Sequence, residues 1–188
     1  WHEIANDELG GVPVAVTYCP LCNSSIVFER TINGRTVEFG TTGKLKDSNL
    51  IMYDRGGDNW WQQFTGEAIV GSLQGEKLKI LPSRTESWSR FAKRHPNADV
   101  LVPNDTFLRQ YGSNPYVRYD TAHRPFLFNG EFPEGIPPLT YVVAVKDADK
   151  PFVISLKKLR DEKSVEREGV TLTWTDGMRS ALDSRQIS

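Results

Sequence analysis

Two cysteines in 188 residues are too few for a disulfide-laced scaffold; they suit a single bridge, a metal site or a redox pair. No charge of one sign prevails, since Lys plus Arg number 23 and Asp plus Glu 24, a net charge of −1. Without a basic stripe, electrostatic capture of nucleic acid is not expected. No apolar run approaches the ~20 residues needed to span a bilayer, so no transmembrane segment is expected. A signal-peptide pattern is absent, and the chain opens at Trp1-His2-Glu3-Ile4 without Met. A processed start fits that opening, and the compartment is not read from what is missing. Neither a phosphate-cradling glycine loop nor a Gly-x-Ser-x-Gly elbow occurs.

What is present is an ordinary globular balance, 25% charged and 38% hydrophobic residues, which argues against disorder and allows one large domain or two small ones. Val12–Tyr18 is an apolar, β-branched run that reads as a buried strand. Ser25–Ile32 and Arg35–Phe39 flank Asn33-Gly34, the strongest short hairpin signal, because both turn positions tolerate positive φ. Leu50–Asp54, the stretch around Ala68–Val70, Lys77–Leu81, Tyr141–Val145, Phe152–Leu156 and Val170–Trp174 read as further strands. One helix is expected, with Thr85 as its cap, Trp88, Phe91 and Ala92 on one face, and His95-Pro96 closing it. Residues 103–140, rich in Pro, Gly and Asn, read as a long loop region. The fold class is therefore mainly β, of antiparallel strands and hairpins with one or two short helices.

The densest chemistry is Tyr18-Cys19-Pro20-Leu21-Cys22. Two cysteines three apart let one tight turn aim both sulfurs at a point, which serves a metal, a redox couple or a structural link. In thioredoxin-like sites the motif opens a helix whose N-terminal field lowers the first thiol's pKa. Here Asn23-Ser24-Ser25 leads straight into the hairpin, a setting closer to a metal knuckle. His2 and Met52 are the candidate further ligands. Thiolates, imidazole and thioether form a soft set suited to copper, with zinc as the alternative metal.

Trp1–Asp7, Gly10–Cys22 and Asn49–Arg55, with Trp61, Gln63, Thr65–Ala68, Leu81–Ser83 and His95-Pro96, resemble a prokaryotic domain-of-unknown-function family, the one numbered three-one-seven-nine. The resemblance runs from Trp1 to about Asp183 and names no activity. It implies a bacterial or archaeal protein, often exported or lipid-anchored, hence an extracytoplasmic location. It also implies that a strand like those of Tyr141–Leu159 precedes the His-Glu-Ile segment. That prompts an internal comparison: Gly169–Trp174 echoes Gly11–Val16, and Ser180-Ala181-Leu182 echoes Ser25-Ile26-Val27, with Asp176-Gly177 where the first copy has cysteines. The expected organisation is a first unit at 1–102, the loop region at 103–140, and a degenerate second unit at 141–188 packed on the first.

Other candidates weigh less. Trp60 and Trp61 with Tyr53, Phe64 and Trp88 are able to line a ligand groove, though aromatics more often fill cores. Asp54 with Glu67, and Asp47 with Asp58, are carboxylate pairs with no spacing that sets them apart from surface charge. Asp147 and Asp149 begin like a calcium loop whose remainder is missing. His123, between Asp120 and Arg124, is able to act as a base or a ligand, though it reads more readily as a solvated side chain. The leading expectation is a non-enzymatic, extracytoplasmic metal-binding module with Cys19, Cys22, His2 and Met52 as ligands to copper or zinc. Its rivals are a thiol–disulfide redox protein using Cys19 and Cys22, and an interaction domain that holds one stabilising disulfide and binds a protein partner.

Overall fold

A computed structural model of the chain describes residues 1–177 and residue 182. Every strand pairing in them is antiparallel, and two short α-helices accompany the strands. The mainly β class read from the sequence is the class the chain adopts.

β1 (Ile4–Leu9) turns into β2 (Val12–Cys19) through Gly10-Gly11, both at positive φ. β3 (Ser24–Glu29) returns alongside β2. β4 (Thr31–Ile32) and β5 (Arg35–Thr36) enclose Asn33-Gly34, at φ 50° and 75°, the mirror-image turn that its dipeptide favours. β6 (Phe39–Lys46) and β7 (Asn49–Asp54) are joined by Asp47-Ser48, also at positive φ. β8 (Trp60–Gln62) and β9 (Glu67–Val70) extend that sheet in the order β6-β7-β8-β9. β10 (Ile80–Leu81) closes the first sheet, ordered β1-β2-β3-β10.

One buried cluster draws from both sheets, with Ala15, Cys19 and Phe28 from the first and Phe39, Leu50, Met52, Trp61 and Ala68 from the second. The Asn6 side chain also ties the sheets together. Its Nδ2 donates to the Phe39 carbonyl at 2.9 Å and its Oδ1 accepts from the Phe39 N–H at 2.8 Å, so an amide side chain imitates a strand pairing.

Two strands absent from the sequence reading, β1 and β6, are edges of their sheets. Both are polar and β6 carries Gly40 and Gly43 with a bulge between Thr41 and Leu45. Their extended form comes from pairing with the buried β2 and β7 and not from their own alternation. Helix α1 (Trp88–Arg94) forms where expected, but Ser87 and not Thr85 sits at its N-cap, and it buries none of its residues. Trp88 stacks on Phe91 and Phe91 on His95 along its surface.

In the last section β11 (Val142–Val145) pairs with β12 (Phe152–Ser155). The expected strand through Leu156 stops at Ser155, whose Oγ accepts from the Lys158 N–H and caps helix α2 (Leu156–Glu162). β13 (Ser164–Arg167) and β14 (Val170–Thr173) follow as a hairpin. Phe152, Ile154 and Leu159 make a second, smaller core there. The β13–β14 hairpin precedes Asp176-Gly177 in the chain as β1–β2 precedes the cysteine turn, but it forms a separate two-stranded sheet while β1 and β2 belong to a four-stranded one; Ser180-Ala181 lie outside the described residues.

Trp61 is fully buried and Trp88 is 62% exposed, so the two tryptophans test where the core lies. Trp61→Ala is expected to cost about 3–5 kcal/mol in urea unfolding, and Trp88→Ala less than about 0.5 kcal/mol.

Candidate functional site

Cys19 ends β2 and pairs across the sheet with Ser24 of β3, so Pro20–Asn23 form the reversal between them. The Asn23 N–H reaches back to the Pro20 carbonyl at 3.4 Å. Asn23 sits at φ 46°, a left-handed conformation that Asn tolerates better than most residues. Strand alternation buries Cys19, and the turn leaves Cys22 exposed. Both thiols are free and interact electrostatically with each other, and Cys19 Sγ donates to the Ser48 carbonyl at 3.8 Å.

Phenols brace this turn. Tyr18 Oη donates to Asn23 Oδ1 at 3.1 Å, and Tyr119 Oη donates to the Leu21 carbonyl at 3.2 Å. Burial raises the pKa of both, so they stay protonated donors. Tyr119 comes from a short 3-10 turn, Tyr119–Thr121, inside the long loop region, so that region builds part of the site.

A buried polar network lies beneath Cys22. Asn49 Nδ2 donates to Cys22 Sγ at 3.0 Å and to Gln63 Oε1 at 2.9 Å. Asn49 Oδ1 accepts from the Phe64 N–H at 2.8 Å, which fixes the amide's orientation. Gln63, fully buried, donates from Nε2 to Thr17 Oγ1 at 3.0 Å and to the Ser24 carbonyl at 3.3 Å. Its Oε1 also accepts from Ser24 Oγ at 2.9 Å, while that hydroxyl stands 3.6 Å from Cys22 Sγ. A hydroxyl has one proton, so Asn49 is the dedicated donor to the sulfur.

The two thiols are thereby driven apart. Cys22 falls from an ordinary 9.0 to about 6, because the adjacent Cys19 thiol favours its charged form, as do the Asn49 amide and the Ser24 N–H, against the opposing cost of burial. Cys19 is pushed up, because the neighbouring Cys22 sulfur favours its protonated form and burial disfavours its charge; the Leu50 N–H at 3.4 Å only partly offsets this. At neutral pH the pair is one exposed thiolate and one buried thiol.

The other residues singled out from the sequence fall elsewhere. His2 is exposed, its Nε2 2.7 Å from Tyr111 Oη and its ring stacked on Tyr111. Met52 is fully buried in the cluster that also holds Cys19. No group of three or more His, Cys, Asp or Glu able to hold a metal occurs among the described residues. Trp60 and Trp61, adjacent in β8, face opposite ways: Trp61 is sealed in the core against the edge of Phe39, while Trp60 carries Lys44 Nζ 5.9 Å above its ring. Tyr53 is half-buried over Gly40. Sequence reasoning missed Asn49 and Gln63 as site residues. The signal was there, an amide at the head of one apolar strand and another just past a tryptophan pair.

These features define a mainly antiparallel β protein with an unequal thiol pair on a strand–turn–strand reversal. The chain belongs to DUF3179, described as a protein of unknown function, whose profile matches residues 1–188. No curated protein and no solved structure matches it.

Alkylation of Cys22 in the reduced protein is expected to follow a thiolate titration centred near pH 6, with Cys19 protected. Asn49→Ala is expected to raise that midpoint by on the order of one pH unit, the worth of one hydrogen bond to a charged group. Peptide mapping across a pH series measures both. The same shift links to folding: the folded Cys22 ionises near 6 and the unfolded one near 9.0. Its stabilisation is therefore full above the unfolded value and lost as pH falls through about 6. Cys19, raised, acts oppositely above its unfolded value. The urea midpoint of the reduced protein should climb between these two pH values, and Cys22→Ser should remove that part of the climb.

Proposed function

We propose that this chain carries out thiol–disulfide exchange, with Cys22 as the attacking thiolate and Cys19 as the resolving thiol. The observation that carries the reading is the division between two interacting sulfurs on one turn, one exposed with a lowered pKa and the other buried with a raised one. Attack requires a thiolate, and an attacking thiol works best with a pKa near ambient pH.

The Cys22 thiolate attacks one sulfur of a substrate disulfide, forming a Cys22–substrate mixed disulfide and expelling the other sulfur as a thiolate. Neutralising Cys22 removes the largest cause of the raised Cys19 pKa. Cys19 then gives its proton to the departing thiolate, and its sulfur attacks Cys22 Sγ. The Cys19–Cys22 bond forms, the mixed disulfide breaks, and the second substrate thiolate leaves. Two electrons pass from the protein dithiol to the substrate, and the reverse sequence oxidises a substrate dithiol. The attacking thiol is the second cysteine of the motif here, set by its partner thiol and a side-chain amide and not by a helix N-terminus. An extracytoplasmic setting, where disulfides persist, belongs to the same proposal on the strength of the family resemblance.

Metal binding is the competing reading, with Cys19 and Cys22 as thiolate ligands to copper or zinc and His2 and Met52 as further donors. The converging sulfurs and the shared burial of Met52 and Cys19 support it; the engagement of His2 with Tyr111 counts against it.

With bis(hydroxyethyl) disulfide, Cys19→Ser is expected to accumulate a mixed disulfide on Cys22, visible by mass spectrometry. Wild type should proceed to the internal disulfide, and Cys22→Ser should form no adduct. A wild-type protein inert to the reagent, yet binding Cu(I) or Zn(II) beyond a Cys19→Ser/Cys22→Ser control, would replace exchange with the metal reading.

A further inference from the structure

Two depressions meet at Cys22. One, of about 230 Å³, is bordered by Pro20, Asn23, Tyr119 and Tyr141. The other, of about 300 Å³, is lined by Ser48, Phe128, Phe132, Pro133, Ile136 and Pro138. Leu21, Leu139 and Thr140 border both. The backbone beside the second depression is pinned to the site: the Phe126 N–H donates to Tyr119 Oη at 3.3 Å, and the Phe126 carbonyl accepts from Ser48 Oγ at 3.4 Å. Phe126 and Leu127 nevertheless leave their side chains mostly in solvent, and Ile136 is half exposed. A reactive sulfur with an apolar rim on this scale marks a surface that is covered in use.

Charge narrows the occupant. Among the described residues no Lys, Arg or His lines either depression, and the only charged linings are Asp47 and Asp120. Asp47 pairs with Lys46 at 3.2 Å, and Asp120 accepts from Tyr141 Oη at 3.0 Å. Arg124 stacks on Phe132, its guanidinium 5.0 Å from the ring centre, without joining the lining. An anionic disulfide thus meets carboxylates and a thiolate with no cation lining the groove to hold it, whereas an apolar one buries surface at no electrostatic cost.

We propose that these depressions form the substrate groove of the thiol site, and that its substrate is a cystine in a peptide or protein segment with apolar side chains beside the sulfur. Glutathione disulfide, which carries more carboxylates than ammonium groups, is a poor fit. The inference rests on the exchange reading, with Cys22 attacking the bound cystine as above.

The test is stopped-flow oxidation of the reduced full chain by three disulfides. They are bis(hydroxyethyl) disulfide, glutathione disulfide, and a symmetric peptide disulfide whose cysteine is flanked by Leu and Phe. Glutathione and peptide thiols ionise alike, so the last two differ mainly in what surrounds the sulfur. The peptide is expected to react at least about tenfold faster than glutathione disulfide, and Ile136→Lys to narrow that ratio by about tenfold. Rates within about threefold of each other, or a ratio untouched by Ile136→Lys, overturn the groove and leave exchange standing. If none of the three oxidises Cys22 at all, the exchange reading falls and takes the groove with it.

Discussion

The amide of Gln63 uses every hydrogen-bonding position it has, two accepted at Oε1 and two donated from Nε2. Its partners come from β2, β3 and β7, so one buried side chain fastens both sheets at the end where the cysteine turn sits. An unsatisfied amide there would cost about 1–3 kcal/mol per lost partner, and this makes the arrangement all-or-none. Register between the sheets, orientation of Asn49 and position of Cys22 are held together by that constraint.

The chemistry follows from the same constraint. Asn49 can serve as a fixed donor to Cys22 only because its oxygen is taken by Phe64 and its other N–H by Gln63. Cys19, one turn away, is buried by strand alternation and receives no comparable donor; its sulfur gets the longer Leu50 N–H. Two chemically identical side chains thus differ in ionisation because one faces an amide network and solvent and the other faces the core. The loop region contributes from outside, with Tyr119 donating to the turn and the backbone around Phe126 anchored to Ser48. It reads as a connector in one dimension and acts as a wall in three.

The cysteine turn and the Asn33-Gly34 hairpin were legible in the sequence because they depend on neighbours in the chain, with spacing and turn chemistry deciding both. The reading that His2 and Met52 converge on the sulfurs was a statement about residues far apart in sequence. The structure gives His2 to Tyr111, a partner 109 residues away, and places Met52 between its strand partners Thr41 and Trp61. The adjacent tryptophans suggested one aromatic surface, but in a strand successive side chains face opposite ways. Helix α2 was hidden because Ser155 reads as strand until its hydroxyl is seen capping Lys158.

The sequence by itself determined the class of fold, since β-branched runs punctuated by Asn-Gly and Gly-Gly turns leave few other solutions. It also determined that two sulfurs would share one reversal. Which sulfur faces water, which one carries the charge, and what surface lies beside it were decided by tertiary structure. Ionisation depends on donors and burial, and those come from strands and loops that only folding brings to the turn.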